Sequence, residues 1–347
     1  MGWFGRGRHD RAPSEIAGRD AAFPFLDADR AARLRMLVHR AFAEQGVEVV
    51  VHEDHVVDVH GRRFGLANLA AVCHRSDKDR RWPSLIEGHV ITILRAVDAP
   101  DPFADATYER VRERTVCRVY DRGSLPDPAL HTYARELAPG LVEVLALDLP
   151  DSVAVFRDEH VQACGGLSAL RAVGMVNLGA EPVDHHKVLN TPEGAELHAF
   201  TGNSMFVASK ALLLEDLLSE ILDVADTPDG VLLALPNRHE LVLHVLCDAT
   251  AVHALHALAA YTAETFAESP GPLSPFVYWW CKGALVQLSH ADISAAASSD
   301  IDAAGGYRID VPAELGEVFA KLATIEGPQH CGDEPPPAQP PPAPTDL

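Results

Sequence analysis

The chain contains no C-x-x-C pair. Its six cysteines, at 73, 117, 164, 247, 281 and 331, lie tens of residues apart, which removes the common zinc-ribbon and thioredoxin-like spacings. Several sit inside apolar runs, as in VLCDA and YWWCKG, where cysteine behaves as a small buried hydrophobe rather than a reactive thiol. No uninterrupted apolar stretch approaches the ~18 residues of a membrane span. The opening MGWFGRGRHDRAPSE has arginines but no apolar segment behind them, and Arg6 stands where a myristoylation motif wants Ser or Thr. These absences predict a cytoplasmic chain with no membrane partner. Walker A, G-x-S-x-G and strand-following G-x-G-x-x-G patterns are also missing. The sequence therefore offers no phosphate cradle, no nucleophile elbow and no dinucleotide fingerprint, and no cofactor is expected. Aromatic residues are scarce at 6%, and only five of the 29 basic residues are lysines.

What the chain does have is a core and a lopsided charge. Hydrophobic residues make up 47% of its 347 positions, enough to fold two domains and to exclude wholesale disorder. The net charge is −21. Residues 1–122 are nearly neutral, with 20 Lys and Arg against 19 Asp and Glu, whereas residues 123–347 hold 9 against 31. An acidic surface of that kind repels phosphate backbones, which argues against nucleic acid as a partner.

Periodicity predicts an α+β fold of two subdomains, with mixed or antiparallel sheets and helices packed on them. Residues 1–25 read as a flexible arm, 26–122 as an N-terminal α+β unit, 123–325 as an acidic α+β unit, and 326–347 as a proline-rich disordered tail. In the first unit a helix starts near Ala28, VEVVVHEDHVVDV folds as a hairpin, a helix runs from about Trp82 to Ala96, and TVCRVYDR is a strand. GSLPDPALH reads as the link to the second unit. There LVEVLALDL and SVAVF are strands, SALRAVGMVNLG a helix weakened by Gly174, ELHAFTGNSMFVAS a strand pair, and ALLLEDLLSEIL a helix. GVLLALPNRHELVLHVL, a helix from TAVHALHALAAYTAETFAE, and a hairpin through YWWCKGALV complete a ββ-α-ββ-α-ββ layered unit. A last helix is expected over Pro312–Leu322.

The hairpin at Gly230–Leu246 is apolar at every strand position but His244, the mark of strands buried on both faces, so it should sit at the centre of its sheet. Its turn carries Arg238, His239 and Glu240. They are either a reactive cluster at the tip or the polar bend that any hairpin needs, and the bend is the stronger reading, because Pro236 and Asn237 supply the turn chemistry. Tyr278, Trp279 and Trp280 make one strand unusually aromatic. Core packing explains them first and an interface anchor second. Eighteen histidines raise the question of a metal, but His52, His55 and His60 fall at a turn and a strand end, and His253 and His256 lack the H-E-x-x-H pattern. Asp184-His185-His186 spells the signature of the DHH phosphoesterases without the further aspartates that two-metal hydrolysis demands. No catalytic, cofactor or metal residue is assigned.

TVCRVYDR, LVEVLALDL, SVAVF, DEHVQACGGLSALRAVGMVNL, HAFTGNSMFVASKALLLEDLL and DGVLLALPNRHELVLHVL occur in the order of corresponding segments in YtpQ-like proteins, a bacterial family of unknown function. Over roughly Leu66 to Leu246 the chain resembles that family, which implies an α+β fold and an accessory role. The YWWCKG hairpin and the proline-rich tail depart from it. The expected function is a non-enzymatic binding or adaptor protein with a protein partner. The alternative is a hydrolase whose His, Asp and Glu are brought together by folding, with or without a metal.

Overall fold

A computed structural model describes residues 18–76, 78–150, 152–224, 226–291 and 307–325. The first unit comprises α1 (Ala28–Glu44), β1 (Val49–Val51), β2 (His55–Asp58), β3 (Arg63–Gly65), α2 (Ala67–Arg75) and α3 (Trp82–Asp98). Asp27 caps α1, its carboxylate accepting from the backbone N–H of Arg30 at 2.7 Å. The apolar face of α1 buries Leu34, Val38 and Phe42 against Leu69 of α2 and Trp82, Ile86 and Val90 of α3. The predicted hairpin is present and β3 extends it to three antiparallel strands.

The flexible arm expected over 1–25 is corrected at its inner end. Phe23 is 1% exposed and belongs to this core with Leu26, while Asp20 accepts from both terminal nitrogens of Arg35 at 2.8 Å. Phe23-Pro24-Phe25-Leu26 is an apolar plug, and burying it outweighs the polar composition around it. Residues 1–17 and the proline-rich tail lie outside the described residues.

After α4 (Tyr108–Val111) come β4 (Thr115–Asp121), β5 (Arg135–Ala138), β6 (Leu141–Leu149), β7 (Ser152–Val155), α5 (Asp158–Ala163) and α6 (Leu167–Ala180). β4 pairs antiparallel with β6 along its whole length, and β5 and β7 share the opposite edge of β6. The boundary expected at residue 122 therefore runs through a sheet, and the segment read as a linker is a loop within it. α6 lies on β4. A Cβ on Gly174 would stand 2.9 Å from the Cys117 sulfur and 3.0 Å from its backbone nitrogen, so the glycine that weakens the helix on propensity is what lets the helix approach the strand.

The remainder is β8 (His185–Asn190), β9 (Glu196–Thr201), α7 (Leu214–Leu222), β10 (Val231–Asn237), β11 (Glu240–Val245), α8 (Ala251–Glu268), β12 (Val277–Cys281), β13 (Ala284–Gln287), β14 (Ser289–Ala291), β15 (Tyr307–Ile309) and α9 (Ala313–Leu322). Six strands form one antiparallel sheet in the order β13-β12-β10-β11-β9-β8, with the predicted hairpin at its centre. One face packs Leu233, Leu241 and Leu243 against α7 and against Val119 and Leu141 of the smaller sheet. The other packs Leu232, Ala234 and Val242 against Ala254, Leu255 and Leu258 of α8 and Leu315 of α9. Burial on both faces is why the hairpin lacks alternation. The layered α+β architecture is as expected, with one change of partner. The first strand pair is β8-β9, and Val207–Leu213, expected in a strand and a helix start, is a 3-10 segment.

Candidate binding site at the tip of the central hairpin

The hairpin turn does not project into solvent. Glu240 is 5% exposed and Asn237 is buried, while Arg238 and His239 are half-buried. The loops that enclose the turn account for this. Arg238 N–H donates to Gly271 O at 3.0 Å, Ala208 N–H donates to Arg238 O at 3.2 Å, and Gly202 N–H donates to His239 O at 3.2 Å. Polar groups of a turn hemmed by three neighbouring segments need hydrogen-bond partners, and Glu240 and His239 have them close by. Glu240 accepts from the Tyr261 hydroxyl with one oxygen and from Asn237 Nδ2 with the other, the latter at 3.0 Å. Burial, then the adjacent Glu240 charge, pushes the Tyr261 hydroxyl well above its ordinary pKa. His239 Nε2 accepts from Arg238 Nε at 3.0 Å, and its Nδ1 lies 3.0 Å from Ser204 O. That pairing assigns the proton to Nδ1. Burial and then the Arg238 charge lower the pKa of His239, so the ring is neutral with both nitrogens engaged.

Beside the turn lies an open cleft of about 370 Å³, lined by Arg75, Asp184, His185, Asn203, His239 and Glu240 among others. The structure thus brings His239-Glu240 and Asp184-His185 to one cleft, which the sequence kept as separate motifs, while Arg238 does not line it. Asp184 Oδ2 accepts from the backbone and side-chain nitrogens of Asn203 at 2.8 and 2.9 Å, and Arg75 donates to Ser269 Oγ at 2.6 Å. Within this group His185 is the exposed imidazole. Among the described residues no three His, Cys, Asp or Glu side chains gather so as to hold a metal ion. The arrangement suits polar contacts to a bound group better than proton transfer, because its buried acid and imidazole already serve each other's neighbours.

Other candidates disperse. Tyr278 faces the α7 side with its hydroxyl 2.7 Å from Ser274 Oγ, and Trp279 faces the α8 side and donates to Asp229 O at 3.0 Å. Both are core residues. Trp280 is half-buried at the rim of a second cleft, of about 480 Å³, between α7 and β13. His52 and His55 stack 4.4 Å apart at their turn. Cys73 and Cys117 are buried and burial pushes their thiols up to about 12, so they are unreactive near neutral pH.

A feature that sequence reasoning missed adjoins the first cleft. β8 is the outer strand of the sheet, and His185–Val188 are exposed. Thr191 N–H donates to Ala195 O at 2.9 Å just beyond it. Antiparallel alternation from that pair turns the backbone groups of His185, Lys187 and Leu189 toward β9 and those of His186, Val188 and Asn190 outward. A lone apolar-polar strand read from sequence carries no sign of which edge it occupies. No helix among the described residues is long and apolar enough to cross a membrane. Compared with family models, curated proteins and solved structures, the chain matches none.

Proposed function

We propose that the chain is a non-enzymatic binding protein that acts through contacts with another protein, and that the contact is made by strand addition at β8. The observation that carries this reading is the combination at one corner of the fold. The acid and imidazole that could do chemistry are bonded to their neighbours, while the adjacent outer strand directs unpaired backbone groups to solvent. An extended partner segment hydrogen-bonding along β8 draws affinity from the main chain, and its end reaches the polar cleft at His185, where Asp184 and Arg75 add selectivity. Lys187 in the middle of the strand disfavours indiscriminate edge pairing. The YtpQ-like resemblance, with its accessory role, is compatible with this proposal.

Val188→Pro is the decisive variant. Proline removes an outward N–H and leaves the bonds to β9 in place, a position where edge strands tolerate it. Affinity capture from a lysate of the source cells should recover a partner with the parent chain and lose it with Val188→Pro, at unchanged melting temperature. Equal recovery by both chains, or no partner with either, refutes the proposal.

A further inference from the structure

Two histidines from neighbouring strands meet near the edge of the large sheet. His186 on β8 is exposed and His198 on β9 is half-buried. They stand twelve residues apart in the chain, and only the pairing of the strands brings them together. The register sets His186 opposite Phe200 and Val188 opposite His198, so the two histidines are diagonal neighbours on one face, within reach of long side chains. His186 Nε2 lies 3.1 Å from His198 Nδ1. The His186 ring also stacks on Phe200, with centroids 4.7 Å apart and planes 8° from parallel, which holds its orientation. Lys187 projects from the opposite face of β8, the face on which Leu189 meets the α8 core, and its charge is kept off the pair.

As a hydrogen bond the contact gains little, since water serves an exposed imidazole nearly as well. As a pair of metal ligands its spacing is apt. Zinc–imidazole bonds of about 2.0–2.1 Å put two ligand nitrogens about 2.9 Å apart at a right angle and about 3.3 Å apart at the tetrahedral angle. The observed 3.1 Å falls between them. A neutral imidazole carries its one proton on either nitrogen. With that proton on Nδ1 of His186 and on Nε2 of His198, both facing nitrogens have a lone pair to give, and no proton need be lost. We propose that His186 and His198 form a two-histidine site for a divalent transition-metal ion of the zinc and copper kind, the ions that imidazole suits. Among the described residues no third His, Cys, Asp or Glu joins the pair, so water completes the ion's shell in the free chain. The ion ties β8 to β9. The site uses side chains on one face of β8, whereas strand addition uses the backbone at its edge, so either proposal can fail alone.

The test is calorimetric titration of the full, metal-stripped chain with zinc chloride at about pH 7.5, where imidazole is mostly neutral. His186→Gln should weaken zinc binding about tenfold or more, because one ligand of a chelating pair is gone. Glutamine still presents an N–H toward His198, so a merely structural contact survives this change. His198→Asn should weaken binding to the same degree. His52→Gln, which alters the other close histidine pair, stacked on His55 at 4.4 Å, should bind zinc as the parent does. Copper(II) supplies a spectroscopic check, since its electron paramagnetic resonance should show two imidazole nitrogens in the parent and one in His186→Gln. The proposal is overturned if the parent takes up neither ion, if His186→Gln binds zinc as tightly as the parent, or if His52→Gln loses as much affinity as His186→Gln. Should His198→Asn not fold, His186→Gln, on the exposed strand, decides.

Discussion

At the scale of single residues, side chains whose value depends on a neighbour far along the chain behave against their propensity. Gly174 is the clearest case. On helix propensity, Gly174→Ala gains about 1 kcal/mol. Here the new methyl meets Cys117 at 2.9–3.0 Å, and overpacking of a closed core costs about 1–3 kcal/mol. We expect Gly174→Ala to be net destabilising, by about 1 kcal/mol, in urea unfolding. His198 supplies a pH dependence. It lies between His186, 3.1 Å away on β8, and the buried His244, and burial, reinforced by these two imidazoles, lowers it from 6.5 to about 4. His186, His239 and His244 are lowered in the same direction, chiefly by burial. A base with a depressed folded pKa binds fewer protons folded than unfolded, so stability is lost as pH falls from about 6.5 toward 4. Melting temperature should therefore drop across that window, and His198→Asn should flatten the drop without removing it.

Turns and edges decide matters at the scale of elements. The β12–β13 hairpin turns at Lys282 and Gly283, whose φ angles are +51° and +77°, the backbone of a two-residue turn that Asn-Gly fits best. Lys282→Asn should stabilise the protein by several tenths of a kcal/mol, measured by denaturant midpoint. β10 and β11 were legible from residues 230–246 alone, since two short, almost wholly apolar runs flanking a Pro-Asn turn fit a hairpin of strands buried on both faces. β8 was not. Its sequence, HHKVLN, is mostly polar and mostly exposed, with Leu189 its one apolar side chain packed on a hydrophobic core, and polarity of that kind reads equally well as a loop. The short β3 and β5 escaped for a related reason, since strands of three and four residues carry too few side chains to set a period.

The whole molecule divides energetically more than it does in composition. Residues 18–98 have their own core around Phe42 and Trp82, and α2, with Ala71 buried outside that core, contributes polar contacts to the larger part. Arg75 bonds Ser269, Asn68 accepts from Gly271 N–H at 2.8 Å, and His74 stands 3.7 Å from Glu268. Two separate cores that meet at this seam should unfold in two overlapping steps. Calorimetry should resolve a smaller transition belonging to the first unit, and Arg75→Ala should separate the two further. A single transition with equal calorimetric and van't Hoff enthalpies would show the seam to be stronger than these contacts imply.

The residue pattern by itself determined the α+β class, the central hairpin, the amphipathic helices α1, α8 and α9, and the absence of the common cofactor and nucleophile motifs. These depend on periodicities of two and 3.6 and on local spacing, which are properties of neighbours in sequence. Tertiary structure alone decided that β4 joins β6 across the expected boundary, that Glu240 is buried against Tyr261, and that Arg75 bonds Ser269. Those facts rest on contacts between residues up to 194 positions apart (Arg75 to Ser269), where the free energy of burying or pairing a charge is set by what folding brings beside it and leaves no trace in the local pattern.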